Sequence, residues 1–294
     1  MKVALIPAFN EERVIFDVIK KCQKYVDKVI VYDDGSTDDT MKISQEAGAE
    51  VIRYEKNLGK GAALRTLFQH ARKLKADIAV TIDGDGQFMP EEIPKLLVPI
   101  LEKGYDIVIG YRFEDNEMPS YRKIGNKVLD KITNIASELP FRDTQSGFRS
   151  YSKKAIEVIN IKTEGFGVDA EILIDASQKG LKITEEKITV LYNTGSKTST
   201  KNPISHTFEV VSSLVEIIAI KHPLRYLGIP GISLMIIGIV FAIDVISVFN
   251  VTRYFSIPST LVAMGAVLIG LMLLLMSVVL YSIGKTVRKR DWRD

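Results

Sequence analysis

Over the first 112 residues of the chain, short apolar runs alternate with stretches whose apolar residues recur at helical spacing. The runs fall at residues 3–6, 29–32, 51–54, 78–82 and 107–109, and the helical stretches near 11–25, 39–47, 60–73 and 91–102. This alternation predicts an α/β fold with a mostly parallel central sheet covered by helices on both faces. Ligands in such sheets bind beyond the carboxyl ends of the strands, at a topological switch point. Three of the predicted strands end in polar signatures: Pro7-Ala8-Phe9-Asn10-Glu11, Asp33-Asp34-Gly35-Ser36 and Asp83-Gly84-Asp85-Gly86-Gln87. All three are expected to face one crevice.

Beyond residue 112 the pattern predicts helices over 122–138, 152–159 and 168–179 and a strand over 182–191. A polar loop at 193–203, rich in Ser, Thr, Lys and Gly, reads as a flap or a linker. Phe208, Val211, Leu214, Val215 and Ile218 then recur at helical spacing, which predicts an amphipathic juxtamembrane helix over 204–222. Two apolar segments follow, 226–249, interrupted only by Asp244, and 257–283. Each is long enough to cross a hydrocarbon core of roughly 30 Å, and the short link between them predicts a transmembrane hairpin. Lys221 and Arg225 precede the pair, Lys285, Arg288, Lys289, Arg290 and Arg293 follow it, and Arg253 alone lies in the link. The positive-inside rule then puts both chain ends, and the domain of residues 1–203, on the cytoplasmic side. Residues 223–284 form the membrane part and 285–294 a basic tail.

Composition narrows the picture further. A net charge of +3 gives no bulk electrostatic reason for a nucleic-acid partner. The single cysteine, Cys22, excludes an intramolecular disulfide and a cysteine-based zinc site. Met1-Lys2 runs straight into a predicted strand, so a cytoplasmic first domain is expected. His70, His206 and His222 have no ligand spacing.

Asp83 and Asp85 carry the sharpest chemistry. On a strand, residues i and i+2 point the same way, so the two carboxylates are expected to converge on one target. Two like charges held close are costly without a cation between them. Hard oxygen ligands with partial protein coordination suit Mg²⁺ or Mn²⁺ carrying substrate phosphates. An ordinary acidic turn is the alternative.

Taken in order, Pro7-Ala8-Phe9-Asn10-Glu11, Asp33 to Asp38, Asn57-Leu58-Gly59-Lys60-Gly61, Asp83 to Gln87, Gly110-Tyr111-Arg112 and Ser146-Gly147-Phe148-Arg149 give the chain a resemblance. It resembles family 2 glycosyltransferases of GT-A fold, in the polyprenyl- and dolichyl-phosphate sugar transferase group. The resemblance covers the first two hundred or so residues. It implies inverting transfer of a hexose (mannose, glucose or N-acetylglucosamine) from a UDP- or GDP-linked donor to a polyprenyl or dolichyl phosphate at the bilayer.

The same resemblance implies roles residue by residue. Pro7, Ala8, Asn10, Glu11, Asp33 and Asp34 line the nucleoside, with Gly84 beside it. Asp83 sits by the ribose or metal, and Asp85 with Gln87 holds Mg²⁺ or Mn²⁺. Lys60 is a diphosphate contact or a solvated lysine at a helix start. The acceptor phosphate calls for cations, and Arg112, Arg149 and Lys197 are the candidates. For Arg149 a structural ion pair is the rival reading. Asp143 falls at a position near the catalytic centre, or serves a turn. Asp169 and Glu171 face the site, or simply form the acidic first turn of a helix. The Gln-x-x-Arg-Trp pattern of processive synthases is absent from the sequence, which favours single transfer. Two rivals remain open, a sugar-nucleotide pyrophosphorylase and a silent nucleotide-sugar-binding scaffold, and so does a homo-oligomer through the hairpin.

Overall fold

The computed structural model describes residues 1–112, 130, 133, 134, 137, 140–162, 167–191 and 223–290, with only the backbone over 284–290. Most of the helix expected at 122–138, the polar loop with Lys197, the amphipathic helix at 204–222 and the last four residues of the basic tail lie outside the described residues. The chain divides into two compact units, Met1–Leu214 and Val215–Asp294.

The first unit is built on seven strands: β1 (Lys2–Ala8), β2 (Lys28–Asp34), β3 (Glu50–Tyr54), β4 (Ile78–Thr81), β5 (Ile107–Arg112), β6 (Arg149–Ser152) and β7 (Ile183–Ile188). Their order is β3-β2-β1-β4-β6-β5-β7. Strands β1 to β4 pair in parallel, as do β5 and β7, while β6 runs antiparallel to both of its neighbours. The order reverses at β1, which has β2 on one side and β4 on the other. The switch point therefore lies beyond Ala8 and Thr81. The sequence pattern missed β6, whose Arg-Ser-Tyr-Ser carries no apolar alternation although Arg149, Ser150 and Tyr151 are buried.

Helices cover both faces. Val3 and Leu5 of β1 join a core with α3 (Lys60–Lys73) and α6 (Val168–Gln178); Ala4 and Ile6 join the opposite core with α1 (Ile15–Cys22) and α4 (Ile93–Lys103). With both faces covered, the strand reads as an unbroken apolar run, as in buried parallel sheets. The remaining helices are α2 (Thr40–Glu46) and the short α5 (Lys153–Val158), which Ser152 caps by accepting from the Ala155 amide at 3.2 Å. Helix α1 starts later than its periodicity suggests, because the amides of Val14 and Ile15 both turn back to the Glu11 carbonyl.

In the second unit a π-helical turn (Leu224–Gly228) leads into α7 (Ile229–Thr252), and α8 (Ile257–Arg290) returns. Leu224–Thr252 and Ile257–Ile283 are each long and apolar enough to cross a membrane. Buried small or slender residues recur every seventh position, Gly231, Gly238 and Val245 on α7 against Ala263, Gly270 and Ser277 on α8. The backbones meet there: a Cβ on Gly270 would lie 2.6 Å from the Gly231 carbonyl oxygen, and one on Gly238 2.8 Å from that of Ala263. Large aliphatic side chains such as Ile239, Val240, Leu268 and Met272 face outward. Such a seam of small residues is the usual close packing of membrane helices.

Candidate active site

The ends of β1 and β2 are stitched together by their own polar signatures. Asn10 takes a left-handed conformation (φ 59°), donates its amide to Ser36 Oγ at 2.9 Å, and accepts from the Thr37 amide at 2.8 Å. The Glu11 amide donates to Thr40 Oγ1 at 2.8 Å. Asp33 is fully buried; its Oδ1 accepts from the Ser36 amide at 3.0 Å, while Oδ2 has no hydrogen-bond partner. Asp34 has a duty that the sequence motif does not announce. Its two oxygens accept from the amides of Leu58 and Gly59, both at 2.8 Å, which fastens the loop that opens α3. Gly35 lies under that loop with φ 76°, and a Cβ there would sit 3.0 Å from the Asn57 nitrogen.

Strand β4 stops at Thr81, so Asp83 and Asp85 stand in the turn after it and not on the strand itself. The same-side argument from strand alternation therefore does not apply, and other contacts aim the two carboxylates. Thr81 Oγ1 donates to the Gly147 carbonyl at 2.9 Å, which lays the Ser146-Gly147-Phe148-Arg149 segment against this turn. Asp83 packs directly on Gly147, where a Cβ would fall 2.3 Å and 2.7 Å from the two carboxylate oxygens. Lys60 Nζ reaches Asp83 Oδ1 at 3.1 Å and Asp169 Oδ2 at 3.0 Å. Of the two readings of Lys60, the solvated one is excluded, since its side chain is only 16% exposed. Burial pushes the ammonium's pKa down, but Asp169 and Asp83 more than reverse this and hold it above the usual lysine value. Asp169 thus belongs to the site, whereas Glu171 accepts from the Lys162 amide at 3.0 Å.

Asp85 is shaped differently. Its Oδ1 accepts from the Gln87 amide at 3.0 Å, and the Gln87 carbonyl in turn accepts from the Leu191 amide at 2.8 Å. Burial, and then the neighbouring Asp83 charge, push Asp85 up to about 6. Glu11 rises to about 8, again through burial first and then Asp85, Asp38 and Asp83, and its Oε2 is buried without a hydrogen-bond partner. Among the described residues no three Asp, Glu, His or Cys side chains enclose a metal by themselves. The fit is instead to a hard cation bound through one or two carboxylates and completed by substrate oxygens. Its charge would offset the burial, and then the carboxylate repulsion, that raise Asp85 and Glu11.

The acceptor-side candidates separate on inspection. Arg112, at the end of β5, grips Asp143 with a fork, Nε to Oδ2 at 2.6 Å and Nη2 to Oδ1 at 2.8 Å. Burial would raise the Asp143 carboxyl, yet Arg112 and then Arg149 hold it below the ordinary aspartate range. Arg149 itself is fully buried, with Nη1 donating to the Asp169 carbonyl and Nη2 to the Thr144 carbonyl, each at 2.8 Å. A guanidinium with no exposed surface braces the start of α6 and the loop before β6, which favours the structural reading of Arg149 over the phosphate-binding one. The sequence reading also missed Gly147 and Thr81 as supports of Asp83. Their signal was the Ser-Gly-Phe-Arg motif, whose glycine had no assigned partner.

A crevice at the reversal of a mostly parallel sheet, walled by carboxylates and one lysine, is the arrangement of nucleotide-binding α/β proteins. The model for glycosyl transferase family 2 matches residues 3–159; the chain belongs to that family and is a glycosyltransferase. It is 34% identical over 212 residues to the UDP-N-acetylglucosamine–dolichyl-phosphate N-acetylglucosaminyltransferase of Methanococcus voltae, which covers 64% of this chain and 84% of the relative. It is 29% identical to glycosyltransferase AglJ of Haloferax volcanii over 93% of this chain and 90% of that one. In fold it is similar to glucosyl-3-phosphoglycerate synthase from Mycobacterium tuberculosis, solved with Mn²⁺ and UDP-glucose (TM-score 0.60, 23% identity, 74% of this chain and 78% of that one). The first unit thus has a GT-A-like fold.

Proposed function

We propose that the protein transfers a sugar, with inversion, from a UDP-linked donor to a dolichyl or other polyprenyl phosphate, and that α7 and α8 anchor it in the membrane holding this acceptor. The observation that carries the reading is the unequal pair at the switch point: Asp83 is in an ion pair with Lys60, while Asp85 makes no ion pair among the described residues. That pairing suits a metal-bound diphosphate. Support for the lipid acceptor and the uridine donor comes from the similarity to the Methanococcus voltae UDP-N-acetylglucosamine–dolichyl-phosphate N-acetylglucosaminyltransferase. The two helices, each long and apolar enough to cross a membrane, support anchoring in the bilayer.

Asp85, assisted by Asp83, would hold Mg²⁺ or Mn²⁺, which when bound neutralises charge gathering on the departing nucleoside diphosphate. Glu11 and Asp33, whose Oδ2 has the Arg53 guanidinium at 3.8 Å but no hydrogen bond, are left to meet the nucleoside, while Asp34 keeps the Leu58-Gly59 loop in place. An oxygen of the acceptor phosphate attacks the anomeric carbon from the face opposite the leaving group. As that bond forms, the bond to the diphosphate oxygen breaks and its electron pair leaves with the diphosphate, which inverts the centre. A phosphate monoester is already ionised near neutral pH, so no protein base need remove a proton. Arg112, fixed by Asp143, and Lys197 are the cations proposed to orient that phosphate. Cytoplasmic orientation of the first unit follows from the arginines and lysines that flank the two spans.

The test is transfer of labelled sugar to a polyprenyl phosphate by the full-length protein with Mn²⁺, starting with UDP-N-acetylglucosamine and compared with UDP-glucose and GDP-mannose. Lipid-linked product from a UDP-sugar is expected. No lipid-linked product from any of them, with the protein folded, would overturn the reading.

A further inference from the structure

Lys60 is held in place from several directions. It opens α3, immediately after the Gly59 amide that Asp34 fastens. Its ammonium lies between Asp83 at 3.1 Å and Asp169 at 3.0 Å. Asp169 is held in turn, because its backbone carbonyl takes the guanidinium of the buried Arg149. Gly147 also packs on Asp83, so closely that a Cβ there would overlap both carboxylate oxygens. The lysine therefore already neutralises the carboxylate that a divalent ion would share, and an ammonium and a divalent ion at one carboxylate repel each other.

We infer that Lys60 is a built-in counter-cation: in the donor-free enzyme it neutralises Asp83 and keeps a bare divalent ion from binding tightly, with Asp169 as the residue that positions it. A metal that arrives with a nucleoside diphosphate brings negative charge with it. The ammonium then gains anionic oxygens of the donor as partners, and repulsion turns into attraction. Metal and donor are thereby taken up together. This rests on the metal-bound nucleotide donor proposed above and adds the order in which its parts bind.

The experiment is Mn²⁺ binding by the full-length protein in detergent, followed by electron paramagnetic resonance with and without UDP. In the wild type, weak binding of Mn²⁺ alone and clearly tighter binding with UDP are expected. Lys60→Met should tighten bare Mn²⁺ by about tenfold, the order expected for removing one like charge from a partly buried site. The same variant should weaken Mn²⁺ in the presence of UDP. Lys60→Arg keeps the charge, so its bare Mn²⁺ affinity should stay weak, which separates charge from packing. If Lys60→Met binds bare Mn²⁺ no better than wild type while UDP-dependent binding persists in the wild type, the inference is overturned. Equal affinity of the wild type for Mn²⁺ with and without UDP also overturns it. Absence of any Mn²⁺ binding with UDP overturns the donor reading as well.

Discussion

At the scale of single residues, the site is a set of carboxylates whose charges are balanced to different degrees. Asp83 has Lys60 and Asp143 has Arg112, whereas Asp85 and Glu11 make no ion pair among the described residues and are raised by burial and neighbouring carboxylates. Removing the unbalanced one should matter most to chemistry: Asp85→Ala is expected to lower sugar transfer by about 10²- to 10³-fold or more, the order seen when one charge-stabilising group is lost. Steady-state rates at saturating donor would show it. Gly147→Ala tests the same carboxylate pair from behind. Its Cβ would press on both Asp83 oxygens, and displacement of a positioning group by roughly an ångström is expected to cost about 10²-fold in kcat/KM for the donor. Glu11 gives a pH prediction. Its carboxyl rises from 4.5 to about 8 in the fold, so the folded chain binds more protons than the unfolded one between those values. The stability from this group is full below about 4.5 and is lost as pH rises through about 8. Melting temperatures of the metal-free protein should fall across that window, and Glu11→Gln should flatten the fall.

At the scale of elements, the loop ends hold one another more than they hold a ligand. Asp34→Ala removes the acceptor for two amides at the entry to α3, leaving both without their partner. A loss of about 1–3 kcal/mol is expected for stranding such groups, measured by denaturant unfolding, together with weaker donor binding as Lys60 loses its mount. This entry loop also shows what the chain discloses by itself. Strands β1, β2 and β4 are legible because both of their faces are buried and their runs are apolar; edge strand β3 shows through Val51 and Ile52, and helix α3 through its helical spacing. Strand β6 is not, since its burial is filled by Arg149, Ser150 and Tyr151, which only tertiary partners make tolerable. The site motifs were legible as chemistry but not as wiring: nothing in Asp-Gly-Asp-Gly tells that Asp83 meets Lys60 from α3, or that Asp169 belongs with them. Likewise Arg149 looked like a phosphate contact because an arginine's type is visible in a sequence and its complete burial is not.

At the scale of the whole molecule, the two units have separate sources of cohesion. The first has two apolar cores on either face of its sheet, and the second has the seven-residue seam of α7 and α8. That seam was within reach of the sequence, as Gly231, Gly238, Ala263, Gly270 and Ser277 share a heptad spacing, but only pairing of the two helices reveals which glycine meets which. A substitution confined to the seam should therefore separate the two halves of the function. Gly270→Leu would thrust a side chain into the Gly231 carbonyl and Met235, where even a Cβ comes within 2.6 Å and 2.7 Å. The helices must move apart, since close backbone approach is what holds such a pair. Because the substitution falls in the second unit and the candidate nucleotide residues belong to the first, the affinity of the variant for UDP with Mn²⁺ is expected to stay within about twofold of wild type. If α7 and α8 anchor the protein as proposed, transfer to a long-chain polyprenyl phosphate embedded in vesicles should fall, because a loosened hairpin would weaken the shared location that raises the effective concentration of acceptor. Nucleotide binding by calorimetry and transfer in vesicles, measured on the same preparation, check both halves of the expectation.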